Sequence, residues 1–254
     1  MSMKDYSLTV KDNRKVAEGV YEAAFYAPDM PELKGGQFIH IALSDNSRIL
    51  RRPLCICDYS QGVLTVCYAV VGEGTRQLSM LKAGDVVNAM YPLGNGWSAD
   101  GYKKVALLGG GLGCAVLPLV ARLNPECEFC AYMGFSDASK VVLEERMKSL
   151  CPTTVATDNG TYGRKGFVTD ALAADLAAIK PDAIFCCGPE VMYKSIVNNP
   201  AFNGIPVYVS LEARMGCGLG ACLVCTCGIR TADGDKNLRV CADGPVFRLD
   251  EVIL

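Results

Sequence analysis

The chain has 254 residues, half of them apolar, and a formal net charge of −2. This length suits one large domain, or two medium ones with a small module, and the apolar content can fill their cores. The charge balance excludes a basic surface for nucleic acid. The single histidine, His40, argues against a histidine-rich metal site.

The first region, residues 1–98, is predicted to be all β. Short stretches rich in β-branched and aromatic residues alternate with turn residues, a spacing typical of a small barrel or sandwich. A short helix is expected over residues 74–81. The predicted strands cover residues 7–10, 20–26, 38–42, 63–70 and 85–89, with turns at 34–36, 44–47 and 61–62.

The second region, residues 99–211, alternates apolar strands with helices, which predicts a parallel, doubly wound sheet. Glycines and a proline interrupt the uncharged run 105–121, so a strand, a turn and a buried helix explain it better than a membrane span. No membrane association is therefore expected. The predicted strands are 105–108, 128–133, 153–156, 183–187 and 207–211, and the predicted helices are 115–123, 141–150, 170–176 and 192–198.

Fourteen cysteines are many for a chain of this size. Because the N-terminus begins with polar residues and lacks the apolar stretch of a signal peptide, we expect a cytoplasmic protein. In that reducing compartment the cysteines should be thiols or metal ligands, not disulfides. Those on apolar strands are most simply buried small hydrophobic side chains.

The third region, residues 212–254, is rich in glycine and cysteine. Cys217, Cys222 and Cys225 follow the spacing C-x4-C-x2-C, and Cys241 comes after fifteen further residues, as in plant-type [2Fe–2S] sites. Glycines in the loop allow it to wrap a cluster and to point amide N–H groups at the sulfurs. A hairpin around residues 231–234 would bring Cys241 back, whereas Cys227 is a less suitable fourth ligand. Zinc, which prefers paired C-x2-C units, and a redox-active thiol pair are the alternatives.

Two glycine-rich turns lie between a predicted strand and a predicted helix. Residues 109–113 read Gly-Gly-Gly-Leu-Gly, and residues 186–190 read Cys-Cys-Gly-Pro-Glu. Glycines there allow a pyrophosphate to approach a helix N-terminus. A single turn of this kind is often only a tight connection, but two in one doubly wound sheet would face the same crevice.

In the β region, Arg51 and Arg52 precede Pro53, Leu54 and Cys55. An arginine buried beside a strand needs an anionic partner, such as a diphosphate. Residues 72–75 open the short helix and form another candidate anion cradle. A solvated strand edge is the alternative interpretation of the two arginines.

In their order along the chain, these motifs resemble the ferredoxin reductase superfamily and, more closely, the electron-transfer subunits of class 1B NAD-dependent dihydroorotate dehydrogenase. The resemblance implies an antiparallel β-barrel (1–98), a doubly wound α/β domain (99–211) and a small [2Fe–2S] module (212–254). It covers nearly the whole chain and is carried by residues 51–56, 71–75, 91–96, 109–113, 157–160, 163–168, 186–190, 212–222 and 240–247.

The family resemblance also implies FAD on the barrel and NAD(H) on the α/β domain. Electrons would run from the FMN of a separate, dihydroorotate-oxidising subunit through the cluster and FAD to NAD⁺, in pyrimidine biosynthesis. Two catalytic and two electron-transfer subunits would form a heterotetramer. The expected flavin contacts are Arg52, Pro53, Leu54, Cys55, Tyr68, Ala69, Val70, Gly74 and Thr75. The expected contacts of the nicotinamide nucleotide are Gly110, Gly111, Gly113, Cys187, Gly188 and Pro189, and the expected iron ligands are Cys217, Cys222, Cys225 and Cys241.

Cys55 departs from the Ser or Thr usual in the family, and a thiol is a weaker donor, which would leave flavin tuning to backbone N–H groups. Asp137 weakly favours NAD over NADP, whereas Lys140 argues the other way. Two rival functions stay open. One is an electron-transfer subunit of a ferredoxin:NADP oxidoreductase or sulfide dehydrogenase complex, and the other is a zinc-stabilised scaffold without enzymatic activity.

Overall fold

The computed structural model describes residues 5–43 and 50–254. The predicted turn at 44–47 lies outside the described residues. Within them, a closed antiparallel barrel is followed by a mostly parallel sheet and a two-stranded hairpin. The structure thus confirms the predicted barrel, α/β region and small cysteine-rich region.

Six strands form the barrel: β1 Asp5–Ala17, β2 Val20–Tyr26, β3 Phe38–Ala42, β4 Arg52–Ser60, β5 Val63–Ala69 and β6 Val86–Leu93. They close in the order β1–β2–β5–β4–β3–β6 around a core that includes Phe25, Ile41 and Val66. Helix α1, Glu73–Leu78, follows β5. β4 is absent from the predicted strands because Pro53 is unfavourable inside a strand, although β4 pairs with both β3 and β5.

Seven strands form the second sheet: β7 Lys104–Gly110, β8 Glu128–Phe135, β9 Thr153–Thr157, β10 Arg164–Lys165, β11 Ala183–Cys187, β12 Val207–Ser210 and β15 Val246–Arg248. Their order is β10–β9–β8–β7–β11–β12–β15, and only β15 is antiparallel to its neighbour. In β7, Val105 and Leu107 face one apolar core and Ala106 and Leu108 face another. Burial on both faces is expected of parallel strands between helical layers.

Four helices flank this sheet: α2 Leu117–Leu123, α3 Glu144–Lys148, α4 Val168–Ile179 and α5 Glu190–Asn198. The prediction of a helix over 141–150 was too long, because Leu143 adopts a left-handed φ of 62° and the helix begins after it. The predicted helix at 115–123 begins as a 3₁₀ turn over Gly111–Val116. Among the helices that the structure describes, none is long and apolar enough to cross a membrane.

The cysteine-rich region contains the predicted hairpin, β13 Thr226–Thr231 and β14 Gly234–Arg239. Its core residues Cys225, Val240 and Cys241 pack against Phe38 of β3 and Leu93 of β6. The chain then returns to the α/β sheet as β15, a three-residue strand too short to show a pattern in the sequence. The domain limits at residues 98 and 211 stay predictions.

Candidate functional site

The four cysteines predicted as iron ligands come together at one end of the hairpin. Cys217 and Cys222 lie in the loop after β12, Cys225 immediately precedes β13, and Cys241 follows β14. Each sulfur accepts a backbone N–H. Leu219 donates to Sγ of Cys217 at 3.3 Å and Cys217 to Sγ of Cys222 at 3.4 Å. Gly220 donates to Sγ of Cys241 at 3.1 Å, and Cys241 donates to Sγ of Cys225 at 3.4 Å.

This arrangement favours the thiolate form of Cys217 and the thiol form of Cys241. Burial opposes ionisation of Cys217, but N–H groups of Leu219 and Cys222 lower its pKa to about 7. Burial, with the neighbouring Cys225 side chain, raises the pKa of Cys241 to about 12. Cys222 is exposed, whereas Cys225 and Cys241 are each only 2% exposed. A positively charged metal would favour all four thiolates, the form in which cysteine binds metal.

The residues fit a cluster held by four sulfurs. Amide donors directed at cysteine sulfurs are the usual outer shell of iron–sulfur sites, and glycine permits the loop to follow this path, since Gly218 and Gly220 have φ of 73° and 78°. Among the described residues, no three Cys, His, Asp or Glu side chains already form a closed metal-ligand set. The four cysteines would therefore draw together around the metal, and their assignment as ligands stays a prediction.

Cys227 and Arg239 occupy supporting positions. Cys227 lies inside β13 opposite Leu238, and burial raises its pKa. Arg239 forms a bidentate ion pair with Asp243, at 2.7 and 2.8 Å, and donates to the carbonyl of Gly220 at 3.1 Å. It thereby ties the loop that carries Cys217 and Cys222 to the end of β14.

A cavity of about 430 Å³ lies where the barrel, the first turn of the α/β region and the cysteine-rich region meet. Of the expected flavin contacts, it is lined by Arg52, Pro53, Leu54, Cys55, Tyr68, Ala69 and Thr75. Val70 and Gly74 lie outside this lining, but Gly74 supports Arg52, because a Cβ on Gly74 would overlap Nε of Arg52. The volume is within the range of small-molecule sites.

Other residues of this cavity had no assigned role in the sequence analysis. Leu112 and Ala115 come from the 3₁₀ turn Gly111–Val116, and residues 210–213, Met215 and Pro245 come from the segments beside the cysteines. Glu212 is one of them, and burial raises the pKa of its carboxyl. Burial, with the Glu212 charge, raises the pKa of Cys55 to about 12, so Cys55 is a neutral thiol. The motif containing Glu212 was visible in the sequence, but not its position beside β4.

A second cavity, of about 290 Å³, lies at the carboxyl ends of the parallel strands, where doubly wound sheets bind their ligands. Among the expected nucleotide contacts, Gly110, Gly111 and Pro189 line it. Gly113, Cys187 and Gly188 lie behind the lining. A Cβ on Gly113 would overlap the carbonyl oxygen of Cys187, and one on Gly188 would overlap Cε of Met192. These three residues therefore shape the turn.

Several residues that line this cavity, such as Ser136, Asp158 and Phe167, were not among the expected nucleotide contacts. Asp137 lies beside the cavity and turns its carboxylate to Ser139, accepting its N–H at 2.8 Å. Lys140 forms an ion pair with Glu18 at 3.1 Å. Because both charged side chains have local partners, neither is good evidence for a preference between NAD and NADP.

The barrel, the doubly wound sheet and the cysteine-rich hairpin together define a ferredoxin-reductase-like fold that carries an iron–sulfur domain. Residues 212–253 match the family described as the iron-sulfur cluster binding domain of dihydroorotate dehydrogenase B.

Two curated relatives match nearly the whole chain. The chain is 36% identical to the dihydroorotate dehydrogenase B (NAD(+)) electron transfer subunit of Streptococcus mutans, covering 98% of each chain. It is 38% identical to the subunit of the same name from Clostridium acetobutylicum, covering 96% of each chain. The chain therefore belongs to the family of electron transfer subunits of dihydroorotate dehydrogenase B.

Solved structures agree with the fold. A chain of the NADH-dependent reduced ferredoxin-NADP oxidoreductase, studied for flavin-based electron bifurcation, is 30% identical with a TM-score of 0.85, over 97% of this chain and 89% of that one. A ferredoxin NADP⁺ reductase from Neisseria gonorrhoeae with bound FAD and NADP has a TM-score of 0.64, over 76% of this chain and 89% of that one. At 14% identity, the second likeness shows the fold alone.

Proposed function

We propose that this chain transfers electrons between the FMN-containing catalytic subunit of dihydroorotate dehydrogenase B and NAD(H), in pyrimidine biosynthesis in the cytoplasm. Membership of the family supports electron transfer as the class of reaction. One observation supports the electron path: residues 210–213 and Met215 line the barrel cavity, and Cys217 follows two residues after Met215. The cavity and the cysteine loop are therefore joined through one short stretch of backbone.

The residues of the barrel cavity suit FAD. Arg52 supplies a guanidinium for a diphosphate, while Pro53, Leu54 and Tyr68 supply apolar and aromatic surface for a ring system. A bound flavin would supply the exchange between hydride, which carries two electrons, and single electrons. The chain's own contribution is to bind, orient and exclude water, since the thiol of Cys55 is neutral.

The α/β cavity suits the nicotinamide nucleotide. Gly110 and Gly111 leave their backbone exposed at the end of β7, where a pyrophosphate can approach closely. The apolar side chains Phe135, Phe167 and Met192 offer walls for a base or a nicotinamide ring. Asp158 adds a carboxylate that can accept hydrogen bonds from ribose hydroxyls.

The cysteine loop suits a [2Fe–2S] cluster near the surface. Cys222, Leu223 and Val224 are exposed, the last two by 61% and 58%. An apolar rim beside an exposed ligand is compatible with a partner subunit docking there. We infer a heterotetramer of two such chains and two catalytic subunits.

One alternative has specific support. The likeness to the reduced ferredoxin-NADP oxidoreductase chain, at 30% identity, favours an electron-transfer subunit with a different partner. Both candidates share the cofactors, so only the partner and the acceptor distinguish them. Reduction of NADP⁺ by ferredoxin in place of NAD⁺ by dihydroorotate would favour the alternative.

The proposal is tested by expressing the chain with the catalytic subunit and purifying the complex anaerobically. We expect a brown-yellow complex with about two irons and one FAD per chain, the iron count being that of one [2Fe–2S] cluster. Its mass should correspond to two copies of each subunit. A colourless protein containing zinc but no iron would contradict the proposal and favour a scaffold.

A further inference from the structure

His40 is the only histidine in the chain. It lies in β3, pairs with Pro53 of β4, and is fully buried. Within the described part of the chain, neither Nδ1 nor Nε2 makes a hydrogen bond of normal geometry, although backbone groups of Arg51 and of the predicted ligand Cys217 lie close to the ring. A buried polar group without a partner lowers stability, so this ring is expected to meet a partner that the protein alone does not supply.

The ring faces the cysteine loop. Gly218, between Cys217 and Leu219, packs on His40 so closely that a Cβ there would overlap Nδ1 and lie 3.0 Å from Cε1. The neighbouring amides of Leu219 and Gly220 are the ones that donate to cysteine sulfurs. The edge of the imidazole ring therefore contacts the cysteine loop from the barrel side, next to the amides that donate to the sulfurs.

β3 also connects the two candidate cofactor sites. Side chains two residues apart on a strand share a face, and Phe38, two residues before His40, lines the barrel cavity. Phe38 also packs with Cys225 and Cys241. Side chains on one face of β3 thus line the flavin cavity and also pack against the cysteine loop.

We propose that His40 is a positioning residue for the iron–sulfur cluster held by Cys217, Cys222, Cys225 and Cys241. Its ring N–H would donate a hydrogen bond to a sulfur atom of that cluster. A neutral imidazole has one N–H donor. Hydrogen bonds to cluster sulfurs favour the reduced, more negative state and so raise the reduction potential. The inference rests on the proposed function, since it requires a [2Fe–2S] cluster in this loop.

The decisive measurement uses the uniqueness of His40. The complex is produced with ¹⁵N-labelled histidine in this chain and unlabelled catalytic subunit, reduced, and studied by pulsed EPR. We expect a weak ¹⁵N hyperfine coupling in the cluster signal. A [2Fe–2S] signal without that coupling would overturn the inference and leave the proposed function intact. Absence of any [2Fe–2S] signal would contradict the proposed function, and the inference would fall with it.

Variants at position 40 test the expected effect on the reduction potential of the cluster. In His40→Leu we expect the ratio of reduced to oxidised cluster at a fixed ambient potential to fall about tenfold, equivalent to about 59 mV for one electron. His40→Gln keeps an N–H donor and should recover most of this shift. Ile41→Val alters the adjacent, buried position on the opposite face of β3 and should leave the potential unchanged.

A merely structural role for His40 gives a different pattern. Both His40→Leu and His40→Gln would then have the potential of the unmodified protein, and any change would be confined to thermal stability. That pattern would also overturn the inference. If His40→Leu cannot hold iron, His40→Gln and the ¹⁵N measurement on the unmodified chain decide.

Discussion

Gly74→Ala should separate flavin binding from folding. In α1, alanine is favoured over glycine by up to about 1 kcal/mol, so the change should not lower the stability of the flavin-free protein. The added Cβ would overlap Nε of Arg52, however, and lie within 2.5 Å of its Cζ and Nη2. These atoms are the end of a flexible side chain, so Arg52 can move away at little cost to the fold. It then leaves the cavity that it lines.

The magnitude follows from the interaction that is lost. A hydrogen bond to a charged group contributes about 1.5–3 kcal/mol, and each 1.4 kcal/mol is a factor of ten in the dissociation constant. FAD should therefore bind roughly 10- to 100-fold more weakly to Gly74→Ala. Titration of the flavin-free protein with FAD, followed by fluorescence, measures the Kd, and thermal unfolding without FAD measures stability.

Gly72→Ala is the matched control. It lies two residues earlier, at the N-cap of the same helix, and an added Cβ there meets nothing within 4 Å. Because Gly72 has an extended backbone that alanine also adopts, the N–H groups of residues 72–75 stay in place, and we expect its FAD affinity to equal that of the unmodified protein. Equal FAD affinity in Gly74→Ala and the unmodified chain, or equal weakening by both changes, would refute the reasoning about Arg52.

Three further predictions concern the cysteines, the packing between domains and pH. Cys241→Ser should lose the cluster and its EPR signal but keep NADH oxidation with flavin-reactive acceptors, whereas Cys227→Ser should keep both; the reverse iron contents would make Cys227 the ligand. Arg146→Ala should lower the free energy of unfolding by about 1–3 kcal/mol, because Arg146 pairs with the buried Glu22 at 2.8 Å. Lys148 is itself 44% exposed and pairs with Glu144 and Glu145 of its own helix, so Lys148→Ala should change the free energy of unfolding by under about 0.5 kcal/mol. Asp175 accepts from Arg164 and Tyr132, which lower its pKa. Its stabilising effect is therefore full above about pH 4 and is lost as the pH falls through the lower folded pKa. The difference in Tm between the unmodified chain and Asp175→Asn should shrink in acid, and a difference that grows there would contradict this sign.

The sequence was most informative where spacing along the chain determines chemistry. The C-x4-C-x2-C motif and the hairpin before Cys241 are local, and the structure brings the four sulfurs to one end of that hairpin. The glycines at residues 109–113 were likewise visible, because a glycine turn between a strand and a helix is a short-range pattern.

What sequence could not supply were contacts between segments far apart in the chain. β4 was missed because Pro53 obscured its pattern, yet pairing with two neighbours outweighs the donor that proline lacks. Glu212 and Leu112 reach the barrel cavity only through the packing of three regions. His40 could be discounted from the sequence as a single histidine, and only the structure places it against Gly218.

Reduction of NAD⁺ by dihydroorotate tests the central claim most directly. The catalytic subunit alone and its complex with this chain are mixed anaerobically with dihydroorotate and NAD⁺, and NADH formation is followed by absorbance. We expect NADH to form only with the complex, in proportion to its iron and FAD content. Unchanged NAD⁺ in the presence of the fully loaded complex, with electrons passing instead to fumarate or from ferredoxin to NADP⁺, would contradict the assignment.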